Sequence, residues 1–190
     1  MIEQTKLKKL NIGCGSKSIH GWVNLDLKNI PGVDIVHDIQ NLPLPFEDNA
    51  FDEILCQDIL EHVEYMPVLK DIYRITAPGG KVRIRVPHFT SRNNYTDPTH
   101  IKRFAVTTFD YFAKGTYIHN NKQGNFLFEF AFSKLEDLGI YFDKKSSRFF
   151  FYNYFIEWFV NRTPRSQVVY EMTGFCRLFP AADIRVTLVK

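Results

Sequence analysis

The sequence predicts an α/β fold with a mostly parallel sheet, reduced first helices and an antiparallel final strand. Two observations indicate this class: short apolar runs separated by loops fill the first third of the chain, and a helical stripe followed by an alternating run comes next. Strands that alternate with helical segments are typical of parallel sheets. Because 190 residues of 45% hydrophobic content match the usual size of one domain, we expect a single domain over residues 1–190.

Four strands are predicted before the first helix. Each is a short apolar run bounded by loop residues, and their ranges are Lys6–Ile12, Trp22–Leu27, Val33–Ile39 and Phe51–Gln57. Only ten residues separate Ile12 from Val23, and five separate Leu27 from Val33, whereas a helical crossover between parallel strands takes a dozen or more. The first two helices are therefore expected to be reduced or missing.

One helix and one strand complete the first half. Apolar residues recur at steps of three and four from Ile59 to Ile75, which predicts an amphipathic helix that ends before the Pro78–Gly80 segment. The following range, Lys81–Pro87, alternates apolar and basic residues. It is predicted to form a fifth strand with one polar face.

The second half is less regular. The predicted elements are a polar loop over Phe89–Arg103, helices over Thr107–Ala113, Lys134–Leu138 and Phe149–Val160, a strand over Phe126–Phe132 and a final edge strand over Ile184–Val189. The aromatic helix over 149–160 is expected to belong to the core or to a lid. A membrane-surface helix is disfavoured because the polar side of this segment lacks Lys and Arg.

Composition and charge exclude several function classes. The net charge of +3 is mild and the basic residues are dispersed, so we expect no nucleic-acid partner. No apolar stretch approaches the roughly 20 residues that cross a bilayer, and no signal peptide is recognisable. Cys14, Cys56 and Cys176 share no Cys-x-x-Cys spacing, which predicts neither disulfides nor a thiolate metal site. We expect a cytoplasmic protein without a metal.

A glycine turn at the end of the first strand is the first candidate binding feature. Gly13 and Gly15 would let a ligand approach the backbone and its N–H groups. A dinucleotide fingerprint needs a third glycine where Ser18 stands, and an acidic residue about 20 residues further on, yet Asp26 follows Gly15 by eleven. A ligand with a ribose but no obligatory pyrophosphate is favoured, and a turn without a ligand stays an alternative.

Four motifs in order, LNIGCG, NLDL, HDIQNLPLPFEDNAFDEILCQDILEHV and PGGKVRIRVP, make the chain similar to the class I S-adenosylmethionine-dependent methyltransferases of the type 11 kind. The resemblance covers about residues 8–88 and implies a Rossmann-like fold. It divides the domain into a cofactor-binding half, residues 1–88, and an acceptor-side half, residues 89–190, that carries the aromatic-rich helix. The shortened first helix departs from the family pattern.

The resemblance implies a set of S-adenosylmethionine-binding residues on the glycine turn and after strands two to four: Asn11, Gly13, Cys14, Gly15, Asp26, Leu27, Asp38, Ile39 and Gln57. In the family pattern Asp26 holds the ribose hydroxyls, Asp38 reaches the adenine amino group with Ile39 against the ring, and Gln57 lies beside the sulfonium. Carboxylates suit both a diol and an exocyclic amine. Asp38 capping a turn and Asp26 lying in solvent are the alternatives.

Three histidines are candidate general bases: His88, His100 and His62, in that order. The first two lie in the segment after strand five, and ligands of open α/β sheets bind beyond the carboxyl ends of the strands. A base is needed only if the acceptor is a hydroxyl. Core or surface roles remain alternatives for all three, and Asp58 with Glu61 fits a helix capping box.

The function that this resemblance implies is methyl transfer from S-adenosylmethionine to a small-molecule or glycan acceptor, with oxygen as the favoured atom. One alternative is a non-catalytic protein that binds S-adenosylmethionine or acts as a scaffold. A second is a nucleotide-dependent oxidoreductase, which the missing third glycine disfavours. An exposed edge of the sheet would support a homodimer.

Overall fold

The computed structural model describes residues 8–114, 140 and 142–190. The described strands are β1 (Lys9–Ile12), β2 (Val23–Asp26), β3 (Ile35–Val36), β4 (Phe51–Gln57), β5 (Thr76–Pro87), β6 (Ala113–Lys114), β7 (Phe142–Phe150) and β8 (Asp183–Val189). They form one sheet of order β3-β2-β1-β4-β5-β8-β7-β6. Strands β1 to β5 pair in parallel, and β8 is antiparallel to both β5 and β7. The predicted fold class is confirmed.

The described helices are α1 (Tyr65–Ile75), α2 (Asn93–Thr96), α3 (Tyr154–Val160), α4 (Pro164–Met172) and α5 (Phe175–Leu178), with 3-10 turns η1 (Leu60–His62) and η2 (Thr108–Phe112). Residues 13–22 and 27–34, all of them described, contain turns and no helix, as the short linkers predict. Within the described residues, every helix is too short or too polar to span a bilayer.

Helix α1 begins six residues later than its apolar stripe predicts. Pro67 explains the difference: in a helix starting at Ile59 it would be an interior residue without an N–H group, whereas here it lies in the first turn, where that donor is not needed. Leu60–His62 form a separate 3-10 turn. From Tyr65 onward the stripe packs as predicted, with Leu69 and Ile72 fully buried.

Two strand boundaries also differ from the predictions. β3 has two residues instead of seven, because the chain turns after Val36 and the His37 N–H returns to the Asp26 carbonyl oxygen at 2.9 Å. β5 starts directly after α1 at Thr76. Its pairing with β4 then shifts register before Lys81, so the Pro78–Gly80 segment belongs to an irregular part of the strand.

In the second half, the predicted helix over 149–160 is wrong in its first part. Phe149 and Phe150 end strand β7, and α3 begins only at Tyr154, where the Asn153 side chain accepts hydrogen bonds from the first helical N–H groups. β8 is not an edge strand, because it lies between β5 and β7. The helix predicted over 107–113 is the 3-10 turn η2. The predictions for 126–132 and 134–138 lie outside the described residues.

The aromatic segment 149–160 is divided between core and surface: Phe149 and Phe151 are buried in the core, whereas most aromatic side chains of α3 are exposed. Tyr154, Phe155 and Trp158 are 91%, 73% and 61% exposed. Only one side of α3, with buried Val160, packs on the domain. The main core lies instead on the sheet, where α1 covers the parallel strands.

Candidate functional site

The glycine turn follows β1 and is held in place by buried amides. The Asn11 side chain is 4% exposed, and its Nδ2 donates to the Lys17 carbonyl oxygen at 3.1 Å and to Asn24 Oδ1 at 3.1 Å. Gly13 adopts a positive φ of 65°, and a Cβ there would lie 2.8 Å from Ile59 Cγ1. Glycine is therefore required at this position by the backbone and by packing.

The N–H groups of this turn are engaged within the protein. Gly13 and Cys14 both donate to the Leu25 carbonyl oxygen, at 2.8 and 3.1 Å. The Gly15 N–H donates to Asp26 Oδ2 at 2.7 Å. The turn thus offers a ligand close approach to its backbone, whereas the expectation of free N–H donors at these three residues is wrong. The last hydrogen bond places the Asp26 carboxylate beside the turn.

A cleft of about 450 Å³ opens over this turn. Five of the predicted residues line it, namely Asn11, Gly13, Cys14, Gly15 and Gln57. Asp26 borders it through the bond to the Gly15 N–H, and its Oδ1 accepts from the Lys28 N–H at 3.0 Å. The volume falls in the range typical of small-molecule sites.

The other three predicted residues follow β2 and β3 and are not among the residues that line this cleft. Leu27 is 63% exposed immediately after β2, and Ile39 is 6% exposed within the hydrophobic core. Asp38 Oδ1 accepts the Gln40 N–H at 2.9 Å, which caps a turn. Because β2 and β3 are neighbours at this end of the sheet, all three lie on the loops at the same edge as the cleft.

An ion pair forms one wall of the cleft. Arg85 of β5 donates to both carboxylate oxygens of Asp58, the residue after β4. The hydrogen bonds to Asp58 raise the pKa of the Arg85 guanidinium. Asp58 thus serves this pair and makes no side-chain cap on the following turn, so the predicted capping box is wrong.

Glu61, the other half of that predicted box, is fully buried. Neither of its carboxylate oxygens has a hydrogen-bond partner within the described part of the chain. Burial raises its pKa to about 8. Its carbonyl oxygen accepts from the N–H groups of Ile101 and Lys102 at 2.8 and 3.1 Å. These bonds hold the loop after β5 against the end of β4.

His62 and His100 meet beside Glu61, with ring centroids 4.6 Å apart. His62 Nδ1 lies 2.8 Å from Thr99 Oγ1, and that hydroxyl donates to Asp97 Oδ1 at 2.6 Å. Since the single hydroxyl proton goes to Asp97, His62 must donate from Nδ1, so that in the neutral ring the lone pair lies on Nε2. Burial and then the nearby His62 lower the pKa of His100.

His88 lies elsewhere, in the core. It has no exposed surface, its Nδ1 lies 2.7 Å from Thr90 Oγ1, and its Nε2 lies 3.1 Å from Glu171 Oε1. The ring packs against Phe89 and Phe149. The structure therefore brings two of the three predicted histidines together and separates the third from any open surface.

Sequence reasoning missed Glu61 as a member of this group. Its spacing from Asp58 fits a capping box, and this interpretation left another feature of the sequence unused. Glu61 and His62 interrupt an otherwise apolar run, Ile59, Leu60 and Val63. An acidic residue within such a run, directly after a buried strand, is unusual enough to mark a buried carboxylate.

Comparison with known proteins finds similarity in the first half of the chain. A family model described as a methyltransferase domain matches residues 10–84. An uncharacterized protein of Methanocaldococcus jannaschii is 36% identical over 77 residues, which is 36% of this chain and 34% of that protein. A demethylmenaquinone methyltransferase of Bacillus cereus is 36% identical over 81 residues, or 42% of this chain and 33% of that protein. The matched part thus covers about a third of these curated relatives.

Two solved structures share the fold. A SAM-dependent methyltransferase from Archaeoglobus fulgidus aligns with a TM-score of 0.58 at 19% identity, covering 97% of this chain and 86% of that one. An S-adenosylmethionine-dependent methyltransferase from Mesorhizobium loti aligns with a TM-score of 0.52 at 12% identity, covering 97% and 91%. At these identities the likeness concerns the fold alone.

Proposed function

Because a methyltransferase-domain model matches residues 10–84 and the fold is that of solved S-adenosylmethionine-dependent methyltransferases, we propose that the chain belongs to the class I S-adenosylmethionine-dependent methyltransferases, binds S-adenosylmethionine and transfers its methyl group to a small-molecule acceptor. The observation that carries the proposal is the convergence of the glycine turn, Asp26 and Gln57 around one cleft. The non-catalytic binding protein and the nucleotide-dependent oxidoreductase stay as the alternatives.

The residues of the cleft suit this cofactor. The glycine turn would admit the methionine part, because Gly13 and Gly15 line the cleft with backbone and carry no side chain into it. Asp26 would hold the ribose: each of its oxygens accepts one backbone N–H, and a carboxylate has about four acceptor sites, so acceptor capacity remains for a diol. Asp38, with one oxygen in a turn, retains its other oxygen for the adenine amino group.

When bound, S-adenosylmethionine supplies a methyl group already activated by a sulfonium. The task of the protein is then to align the acceptor, which is worth roughly 7–11 kcal/mol of barrier in well-oriented reactions. For a hydroxyl acceptor, the lone pair on His62 Nε2 is the proposed proton acceptor, with Thr99 and Asp97 holding the ring. Such a base contributes about 10²- to 10⁴-fold. His100 is the second candidate, and His88 is left out because it is buried.

We propose an oxygen atom of a small molecule or glycan as the methylated group. The nitrogen of His62 that is free of protein partners supports oxygen, since a hydroxyl acceptor must lose its proton when it is methylated. The relatives named demethylmenaquinone methyltransferase support a small-molecule acceptor. A single domain with an acceptor-side half over 89–190, a cytoplasmic location and a homodimer remain predictions.

The cofactor assignment is tested by calorimetry with S-adenosylmethionine. We expect saturable 1:1 binding to the parent and at least tenfold weaker binding to Asp26→Ala. Asp52→Ala is the matched control, because its carboxylate also accepts a backbone N–H, that of Lys8, but lies at the opposite end of β4. Equal affinity of parent and Asp26→Ala would remove the ribose assignment.

Two further experiments separate the alternatives. Transfer of a radiolabelled methyl group to a fraction of cell extract would exclude the non-catalytic binding protein. Tight binding of NADH in a fluorescence titration, together with no binding of S-adenosylmethionine, would favour the oxidoreductase.

A further inference from the structure

We propose that Glu61, His62 and His100 form a binding site for a divalent transition-metal ion of the zinc type. This inference goes beyond the proposed function and departs from the sequence-based expectation of no metal. Two imidazoles and a carboxylate are a common ligand set for zinc. In this structure the potential ligand atoms of the three residues lie within 4.8 Å of one another.

The three side chains need to move only slightly closer together to bind one metal ion. Zinc bonds to nitrogen and carboxylate oxygen are about 2.0–2.2 Å long, so ligand atoms in a tetrahedral site lie about 3.4 Å apart. The three side chains come from two short segments, η1 and the 97–102 loop, that are already tied together by the bonds to the Glu61 carbonyl oxygen. Rotation within each side chain can therefore provide the remaining approach.

Unpartnered polar atoms are the independent sign of a ligand. Both Glu61 carboxylate oxygens and His100 Nδ1 are buried and have no hydrogen-bond partner within the described ranges. Glu61 has no exposed surface at all. Buried polar groups in proteins are normally hydrogen-bonded, and buried charges are paired or coordinate metals. One cation bound by these residues would satisfy the carboxylate and the imidazole together.

Asp97 lies on the far side of both imidazoles: it orients His62 through Thr99 and lies near His100 without a hydrogen bond to it. Asp97 accepts from the Thr99 hydroxyl, which orients His62 with Nδ1 as donor and Nε2 free. Asp97 Oδ2 also lies 3.8 Å from His100 Nε2, on the ring edge opposite the unpartnered Nδ1. Metal-binding histidines typically use their second nitrogen in this way. The two histidines thus each keep one nitrogen for a metal.

The site would have an open position. Three protein ligands leave a fourth place for water or an oxygen-bearing ligand, as in catalytic zinc sites. The neighbouring Asp58 lines the cleft proposed for the cofactor. A metal ion on His62 Nε2 would occupy the nitrogen that is proposed as the base. Only the metal-free protein could then use His62 as a base. This last point alone rests on the proposed function.

The test measures metal binding and not methyl transfer, so it fails or succeeds independently of the proposed function. Purified protein is freed of metal with a chelator and titrated with Zn²⁺ by calorimetry and with Co²⁺ by visible absorption. We expect saturable 1:1 binding of Zn²⁺ and d–d absorption bands from bound Co²⁺. Binding that is not saturable, or that involves several weak sites, would overturn the proposal.

Variants locate the site. Glu61→Gln and His100→Ala are each expected to weaken Zn²⁺ binding at least about tenfold, and Asp97→Asn about tenfold to hundredfold. His20→Ala, which removes an exposed histidine, is the control and should leave affinity unchanged. Circular dichroism confirms folding, and if Glu61→Gln does not fold, His100→Ala decides. Unchanged affinity in a folded ligand variant, or an equal loss in His20→Ala, contradicts the assignment.

Discussion

Two polar clusters lie at the carboxyl ends of the central strands, and they differ in how their polar atoms are satisfied. In the first, the glycine turn and Asp26 are bonded to the backbone of β2 and to each other. In the second, Glu61 and His100 keep unpartnered atoms. Of the five buried side-chain atoms without a partner within the described part of the chain, three belong to these two residues.

The first cluster is therefore held by hydrogen bonds within the protein, whereas the second still has polar atoms that can bind a ligand. The first cluster is complete without a ligand, so it can fix the shape of the cleft before the cofactor binds. The second cluster carries the cost of unmade hydrogen bonds. We infer that the ligand which satisfies the second cluster also stabilises the fold.

The largest expected effect concerns Glu61 in protein kept metal-free. Its folded pKa is about 8 against an ordinary value of 4.5, so stability from the neutral carboxyl is complete below pH 4.5 and is lost as pH rises through about 8. Glu61→Gln should match the parent at pH 4.5 and exceed its free energy of unfolding at high pH by on the order of 5 kcal/mol. Urea unfolding across pH measures this.

The same carboxyl faces Asp58, Asp183 and Arg85 and the imidazoles of His62 and His100, all of which are present in both proteins of that comparison. Glu64→Gln is the matched control, because Glu64 is 60% exposed and paired with Lys102 on the surface. A parent and a Glu61→Gln variant with parallel pH profiles would show that the Glu61 carboxyl is already satisfied.

The next largest effect is expected in the first cluster, from Gly13→Ala. The positive φ costs about 1–2 kcal/mol, and the close approach to Ile59 adds to it, so we expect about 2 kcal/mol lower stability together with weaker cofactor binding. Gly15→Ala is the control: it shares the positive φ but meets no atom within 4 Å. An equal loss in both variants would show that packing against Ile59 is unimportant.

The smallest effect is expected from Thr99→Val, which breaks the chain from His62 to Asp97. Thr99 is on the surface, so folding should change little. Zn²⁺ affinity should fall about tenfold, because the His62 ring is no longer held. Thr96→Val serves as control, since its hydroxyl bonds only a backbone carbonyl oxygen, that of Arg92. Calorimetry measures both, and identical affinities would mean that Thr99 does not orient His62.

The sequence predicts the first half well because its signals are local. β4 has the predicted bounds, and the missing helices follow directly from linker length. The start of α1 could also have been predicted from Pro67. Strand β7 could not have been predicted, because its central residues, Asp143 to Arg148, are polar. Its pairing with β8 joins segments that are far apart in the sequence.

The candidate site was likewise predictable only where its residues follow local sequence patterns. The glycine turn and Asp26 are readable from residue types and spacing. The meeting of His62 with His100 depends on how the loop after β5 folds back onto the end of β4, which no local pattern encodes. For the same reason the sequence placed His88 ahead of His100 as a candidate base, although His88 lies in the core and His100 lies beside His62 and Glu61.

The measurement that tests the central claim most directly is a crystal structure of the protein with S-adenosylhomocysteine. Our account predicts the ribose hydroxyls on Asp26 and the homocysteine part over the turn at Gly13 and Gly15, with the sulfur near Gln57. A ligand bound elsewhere on the domain, or a cleft that stays empty at saturating ligand, would contradict it.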